Sequence, residues 1–348
     1  MAENTFIPPP LPRLYPWHES VIEQMKGAWA AGRLPHAILL QGAEGLGKRE
    51  LASWLAAAVL CETSTETLQR CGKCASCLLI AAGTHPDYFW VRPEEDKQLI
   101  SVDQIRDATT RLTKTSYRQG YKISIVDPAH QMTVAAANGL LKTLEEPTSN
   151  SLLILITSRP SSLLPTVRSR CQKITLSSPS AAETLQWLQT ETGAAADPAL
   201  IEFTGNAPLR AREFADGRFS SLDSDMQGAL GALVAGRVDV THVAAEWTKK
   251  NELPELPNRL TWLDLWLTSV ARMGIGGTAD LFTFPARSAH LPSLPATLNI
   301  SAIYGVVDQI RALKAQLART ALQRELAMES LLIAVLQVIG PPPQELRK

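Results

Sequence analysis

The chain has 348 residues, which is enough for two or three domains, each with its own buried core. Hydrophobic residues make up 45% of it and charged residues 20%, as in an ordinary globular protein. The 34 Lys and Arg balance the 34 Asp and Glu, so no overall field attracts a polyanion, and contact with DNA would need a local patch or a partner.

The N-terminal segment, Met-Ala-Glu-Asn-Thr-Phe-Ile-Pro-Pro-Pro, lacks the basic and then apolar pattern of an export signal. No stretch approaches the roughly 18 to 20 uncharged apolar residues of a membrane span. We therefore expect a soluble, cytoplasmic protein with no membrane partner.

Short apolar runs alternate with helical patterns through the first half of the chain. Helical spacing occurs over residues 51–59, 102–112 and 140–144, with Ser101 as a cap of the second segment and Pro147 as a stop after the third. The predicted strands are residues 37–40, 88–91, 122–126, 152–156 and 172–176. This alternation predicts a parallel sheet with crossover helices, in an α/β domain of the nucleotide-binding type.

The sequence Gly-Ala-Glu-Gly-Leu-Gly-Lys-Arg follows the first predicted strand and precedes a helix, which is the order of a P-loop. The glycines would let backbone N–H groups surround a phosphate, and the lysine would reach the terminal phosphates. The arginine stands where the pattern requires Ser or Thr, whose hydroxyl ligates Mg²⁺. A guanidinium cannot bind a cation. The candidate residues of this loop are Gly42, Gly45, Gly47, Lys48 and Arg49.

The third predicted strand ends at Asp127-Pro128, where an ATP site carries Asp-Glu. Asp127 could serve the metal, but the carboxylate that would polarise the attacking water is a proline here. Because both halves of the site lack a necessary group, we expect no useful ATP hydrolysis. Passive ATP binding, and a loop that is only a glycine-bearing helix N-terminus, are the two alternatives that this leaves open.

Four of the five cysteines lie within residues 61–77, and in a cytosolic chain such crowding favours a metal site over disulfides. Four sulfurs suit a closed tetrahedral site for Zn²⁺ or an iron centre, and Zn²⁺ is favoured because no electron-transfer context surrounds the cluster. His85 is an alternative ligand. Because Arg70 and Lys73 are its only basic residues, we interpret the cluster as a folding and docking element and not as a nucleic-acid contact. The predicted ligands of a structural zinc are Cys61, Cys71, Cys74 and Cys77.

Helical patterns alone follow residue 178. A helix over residues 181–192 opens a small helical unit, and a larger helical region begins near residue 219. The Gly- and Pro-rich residues 274–295 predict a long loop inside this region. The last helix is predicted to be strongly amphipathic, with the apolar residues Leu322, Leu326, Leu331, Leu332, Val335 and Leu336.

Three further segments carry a resemblance to a known family: Asn-Gly-Leu-Leu-Lys-Thr-Leu-Glu-Glu-Pro (138–147), Ser-Arg-Pro (158–160) and Arg-Ser-Arg-Cys (168–171). This series resembles the clamp-loader branch of the AAA+ proteins. Together with the cysteine cluster, Arg-Leu-Pro-His (33–36) and His-Pro-Asp (85–87), it resembles the delta-prime subunit family of bacterial DNA polymerase III.

The resemblance assigns roles to single residues. In this family Ser-Arg-Cys, here Ser169, Arg170 and Cys171, carries an arginine finger that acts in trans on the ATP site of a neighbouring subunit. Thr157 stands where the family has a γ-phosphate sensor, and Arg210 matches its second sensor arginine within one residue of register. From the residues alone, Arg168 and Arg170 would be two solvated arginines. Lys142, Glu145 and Glu146 are interpreted as the exposed face of a helix end.

The resemblance also implies an architecture and a role. The expected domains are an AAA+ domain with the zinc insertion (1–178), a helical lid (179–218) and a helical collar (219–348). The chain would be a non-hydrolysing stator, with gamma/tau-type and delta-type subunits as partners and with the sliding clamp and primed DNA reached through the complex. The alternatives are an active AAA+ ATPase, such as a motor subunit, and a zinc-dependent DNA-binding protein with salt-sensitive affinity for DNA.

Overall fold

The computed structural model describes residues 13–64, 67–95, 97–249, 255–274, 299–317 and 324–339. It divides into two compact units, Met1–Pro179 and Ser180–Lys348. Apart from Gly274, the predicted long loop lies outside the described residues, as does Leu322 of the predicted last helix.

In the described part of the first unit, helices alternate with parallel strands. The strands are β1 (Ala37–Gln41), β2 (Tyr88–Val91), β3 (Lys122–Val126), β4 (Ser151–Thr157) and β5 (Gln172–Thr175). The helices are α1 (Glu19–Ala30), α2 (Lys48–Val59), α3 (Ala75–Ala81), α4 (Val102–Thr113), α5 (Val134–Gly139), α6 (Leu141–Glu145) and α7 (Pro165–Arg168). The predicted α/β fold class is confirmed, and each predicted strand agrees with the structure within one residue at each end.

The five described strands pair in the order β2-β3-β4-β1-β5, and all pairs are parallel. Gln41 at the end of β1 lies opposite Thr157 of β4 and Thr175 of β5. The carboxyl ends of the strands therefore share one edge of the sheet, which is where parallel α/β sheets bind their ligands.

Both faces of the sheet are covered. Alternate side chains of β1 divide between two apolar cores: Ile38 and Leu40 pack in the core that contains Leu51 of α2, and Leu39 packs in the core that contains Ile105 of α4. Burial on both sides explains why every residue of β4 is buried and why residues 152–156 within it form an uninterrupted apolar run.

The predicted cap at Ser101 is confirmed. Ser101 Oγ accepts from the N–H of Gln104 at 3.3 Å, and the Gln104 side chain accepts from the N–H of Ser101 at 2.9 Å. This reciprocal capping box satisfies two backbone donors at the start of α4.

The described part of the second unit is helical. Its helices are α8 (Ala181–Thr192), α9 (Pro198–Phe203), α10 (Pro208–Phe214), α11 (Arg218–Val234), α12 (Val240–Thr248), α13 (Leu256–Gly274), α14 (Ile300–Leu317) and α15 (Arg324–Ile339). Residues from α8 to α15, among them Leu188, Trp262 and Leu332, contribute to one apolar core. The division of this unit into a lid and a collar stays a prediction.

The last helix differs from its prediction. Met328, Leu331, Leu332, Val335 and Ile339 of α15 are buried, whereas Leu326 and Ile333, seven residues apart, are exposed. The helix is therefore apolar on more than one face, and Leu326 does not belong to the buried stripe. Among the described helices, none combines the length and the apolar composition needed to cross a membrane.

Candidate functional site: phosphate loop, arginine finger and metal centre

The glycine-rich loop connects β1 to α2 at the carboxyl edge of the sheet. Gly42 has φ 153°, and a Cβ on it would lie 2.5 Å from the carbonyl oxygen of Leu176. Gly45 and Gly47 have φ 76° and 77°, a left-handed conformation that other residues rarely adopt. The sequence thus needs glycine at all three places to form the loop.

Lys48 is turned back onto this loop. Its ammonium donates to the carbonyl oxygens of Gly42, at 2.9 Å, and of Ala43. The side chain is 8% exposed, and burial lowers its pKa, an effect opposed by the carboxylates of Glu44 and Asp127. In the structure the ammonium of Lys48 is therefore hydrogen-bonded to carbonyl oxygens of its own loop.

Asp127 follows β3 and is paired with two arginines. Its Oδ2 accepts from Arg49 Nε at 2.6 Å and from Arg92 Nη2 at 3.1 Å, and its side chain is 3% exposed. Arg92 follows β2 directly, and its guanidinium lies 4.7 Å from the Trp90 ring centroid. Arg92 was not among the residues predicted from the sequence, although it directly follows a strand that pairs with β3 and therefore lies at the same edge of the sheet.

Thr157 ends β4 at this edge and is fully buried. Its hydroxyl accepts from the backbone N–H of Arg159 at 3.0 Å and lies 3.1 Å from His130 Nδ1. The pKa of His130 is lowered, first by burial and then by the nearby Arg159. His130, the neighbour of the predicted sensor, was not among the candidate residues predicted from the sequence.

The predicted finger residues lie between α7 and β5. Arg170 is exposed; it donates to the carbonyl oxygen of Thr166 at 3.1 Å, and its Nη2 lies 2.6 Å from Glu145 Oε1. Ser169 is also exposed, whereas Cys171 is buried, and burial raises the pKa of its thiol to about 11. The buried cysteine anchors the segment while the arginine faces outward.

The face formed by Lys142, Glu145 and Glu146 is exposed as expected. Glu145 is nevertheless engaged, because it holds the guanidinium of Arg170. Arg210, the predicted second sensor, belongs to α10 of the second unit. It donates to Asn258 Oδ1 at 3.2 Å and lies 5.7 Å from the Phe203 ring centroid.

The four clustered cysteines converge on one point. The sulfurs of Cys61, Cys71, Cys74 and Cys77 all lie within 4.8 Å of one another. Backbone N–H groups of Cys71, Cys74 and Cys77 donate to the preceding cysteine sulfur of the cluster at 3.2 to 3.4 Å. This donor set fits one tetrahedral metal ion, since N–H···S contacts stabilise thiolate ligands.

The metal segment is fastened to the sheet domain by polar contacts. Glu62 accepts from the N–H and the hydroxyl of Ser76 at 3.1 and 2.8 Å, and from Arg118 at 2.7 Å. Trp29 of α1 donates to the carbonyl oxygen of Ser64 at 3.0 Å. These contacts favour a folding and docking element.

His85, the alternative ligand, has another role. Its Nδ1 accepts from the backbone N–H of Asp87 at 3.1 Å, and burial lowers its pKa. The Asp87 carboxylate in turn accepts from the backbone N–H groups of Tyr117 and Arg118 at 3.0 and 3.1 Å. His85 and Asp87 thus position the turn that carries Arg118.

Comparison with known proteins finds relatives that share most of the length of this chain. A family model described as DNA polymerase III, delta subunit matches residues 17–180. The chain is 36% identical over 262 residues to the DNA polymerase III subunit delta' of Pseudomonas aeruginosa, covering 74% of this chain and 77% of that protein. It is 31% identical over 332 residues to the subunit delta' of Escherichia coli, covering 94% and 97%. Among solved structures it is similar to a DNA polymerase III gamma subunit-related protein from Thermotoga maritima, with a TM-score of 0.42, 17% identity, and coverage of 91% and 99%.

Proposed function

The chain belongs to the DNA polymerase III delta-prime family, and on that premise we propose that it is a non-hydrolysing subunit of the bacterial sliding-clamp loader in DNA replication. Two differences from the residues of an active ATPase site support the proposal that this chain does not hydrolyse ATP. Arg49 and Pro128 replace the hydroxyl and the carboxylate that metal binding and water activation need. Any ATP on this chain would be held passively.

The observation that carries the proposal is the exposed Arg170. An arginine finger supplied in trans has to extend from the surface of its own subunit, so that it can stabilise negative charge on the phosphoryl group transferred in the neighbour's site. Arg170 meets this need because its ion pair with Glu145 joins two solvated side chains, a type of contact worth only about 0 to 1 kcal/mol. A neighbour's phosphates can replace that partner at little cost.

The proposed partners follow from the role. Arg170 would face the ATP site of a gamma/tau-type subunit, and a delta-type subunit would complete the loader, with residues 219–348 of this chain as a collar. The sliding clamp and primed DNA would be contacted through the assembled complex. The four cysteines would hold a structural Zn²⁺ and would take no part in the chemistry.

The test is the ATPase of a loader reconstituted with its other subunits, the clamp and primed DNA. We expect Arg170→Ala to lower the rate by at least about tenfold, within the range of arginine fingers. Arg106→Ala removes another exposed arginine in an ion pair, with Asp103 at 3.1 Å, and should leave the rate unchanged. A normal rate in the folded Arg170→Ala loader would remove the finger role.

The rival function is an active ATPase that relies on Lys48 and Asp127. It predicts turnover by the isolated chain with Mg²⁺. The proposal predicts turnover at background level, so a rate well above background would favour the rival.

A further inference from the structure

The P-loop fold implies a Mg²⁺–nucleotide complex, and the residues around Asp127 do not fit one. Mg²⁺ requires near-octahedral oxygen ligands. The carboxylate that would serve it accepts instead from two guanidinium groups on one oxygen, at 2.6 and 3.1 Å. A divalent cation at this place would meet two positive charges within contact distance.

The second arginine is held in place independently of the loop. Arg92 lies over the Trp90 ring at 4.7 Å, and its side chain is 26% exposed. Arg49 is the second residue of α2, directly after the glycine loop, so its contact with Asp127 ties the loop to the end of β3. The two arginines approach the carboxylate from separate elements, which makes the cluster a fixed part of the fold.

We propose that Arg49 and Arg92 together replace the divalent cation at Asp127, so that this loop neither requires nor admits Mg²⁺. The contacts of Lys48 support this arrangement. Its ammonium donates to loop carbonyl oxygens, while the Asp127 carboxylate accepts from the two arginines. The inference deepens the proposed non-hydrolysing role and rests on it. It concerns metal use by the isolated chain, whereas the finger concerns the assembled loader, so each can fail alone.

The first measurement uses the wild-type chain with ADP as the probe. ADP affinity is measured by calorimetry, Tm by thermal unfolding, and bound Mn²⁺ by electron paramagnetic resonance. Divalent ions are removed from the buffer with a resin, because a soluble chelator would compete for the cysteine cluster. We expect Mg²⁺ to change neither the Tm of the chain nor its affinity for ADP, and we expect no Mn²⁺ to bind together with ADP. This expectation does not depend on whether ADP binding itself is strong enough to measure. Mg²⁺-dependent binding or stabilisation would overturn the proposal.

The second measurement uses the double variant Arg49→Thr/Arg92→Gln, which restores a hydroxyl and uncovers the carboxylate. Mg²⁺ should now tighten ADP binding on the order of tenfold, the scale of one charge-assisted contact. Arg111→Thr is the matched control, since it removes a surface arginine paired with Asp107 at 2.9 Å, and it should behave as wild type.

A folded double variant that remains indifferent to Mg²⁺ and Mn²⁺ would overturn the proposal, because the arginines would then not be what excludes the metal. If the double variant does not fold, the wild-type measurement decides, and Mg²⁺-dependent ADP binding, Mg²⁺-dependent stabilisation or bound Mn²⁺ in the wild-type chain overturns the proposal.

Discussion

Arg49 Nε lies 2.6 Å from Asp127 Oδ2, so the residue that removes the metal-binding hydroxyl also supplies a cation to the metal-binding carboxylate. The two positions are 78 residues apart in the chain. Their pairing means that the cation introduced at the loop is balanced by a buried carboxylate, and that the loop and the end of β3 are joined by this contact.

We predict that Asp127→Asn lowers the free energy of unfolding by about 1 to 3 kcal/mol, because it leaves Arg49 and Arg92 without their counter-charge around a buried position. The half-exposed Arg49 keeps the loss below that of a fully buried pair. Urea unfolding measures it. Asp107→Asn removes the partner of a surface arginine and should cost less than about 0.5 kcal/mol. Equal losses in the two variants would contradict a structural role for the cluster.

We predict that Glu145→Gln raises the ATPase of the reconstituted loader, by up to about fivefold. The variant removes the home partner of Arg170, and a competing surface ion pair is worth at most about 1 kcal/mol. Steady-state ATPase measurements at low and high salt check this, because salt screens exposed pairs and should reduce the difference. Glu146→Gln, one residue further on the same exposed face, is the control. A lower rate in Glu145→Gln alone would mean that this carboxylate positions the finger for catalysis.

Strands β1, β2 and β4 could be predicted because each contains a short apolar run, whereas β5 contributes only Ile174 to the apolar core. Burial on both faces makes such runs continuous, as in β4. For the last helix, periodicity gave a wrong prediction of the buried face. Leu326 lies on the same face as Ile333, seven residues on, and both are exposed although both are apolar. Hydrophobicity alone does not tell which apolar face of a helix finds a partner in the same chain.

The candidate site was predictable where its residues share one contiguous motif. The glycines of the loop and the four cysteines carry their spacing in the sequence, and the structure brings each set together. Arg92 and His130 were missed because their partners, Asp127 and Thr157, are reached only through the pairing of neighbouring strands. Those contacts depend on the order of the strands in the sheet, which cannot be read from a single sequence.

We predict one Zn²⁺ per chain, held by the cysteine cluster. Cys74→Ser removes a ligand sulfur and should lose most of the bound metal, measured by elemental analysis of the purified chain, because four thiolates are needed for a closed site. Cys171→Ser is the matched control, since Cys171 is buried apart from the cluster, and it should retain the metal. Iron in place of zinc, or full metal content in Cys74→Ser, would contradict the proposal.

We predict that Cys171 of the folded chain reacts with iodoacetamide at pH 8 at least about a hundredfold more slowly than in urea. Burial raises the pKa of its thiol to about 11, two units above the ordinary value of 9.0, and only the thiolate attacks. Because the folded-state pKa is raised, the fold favours the protonated thiol. This contribution to stability is fully present below pH 9 and is lost as the pH rises toward 11. Peptide-level mass spectrometry isolates Cys171 from the metal ligands, and a folded-state rate that levels off near pH 9 would show that the thiol, and with it the segment carrying Arg170, is not anchored by burial.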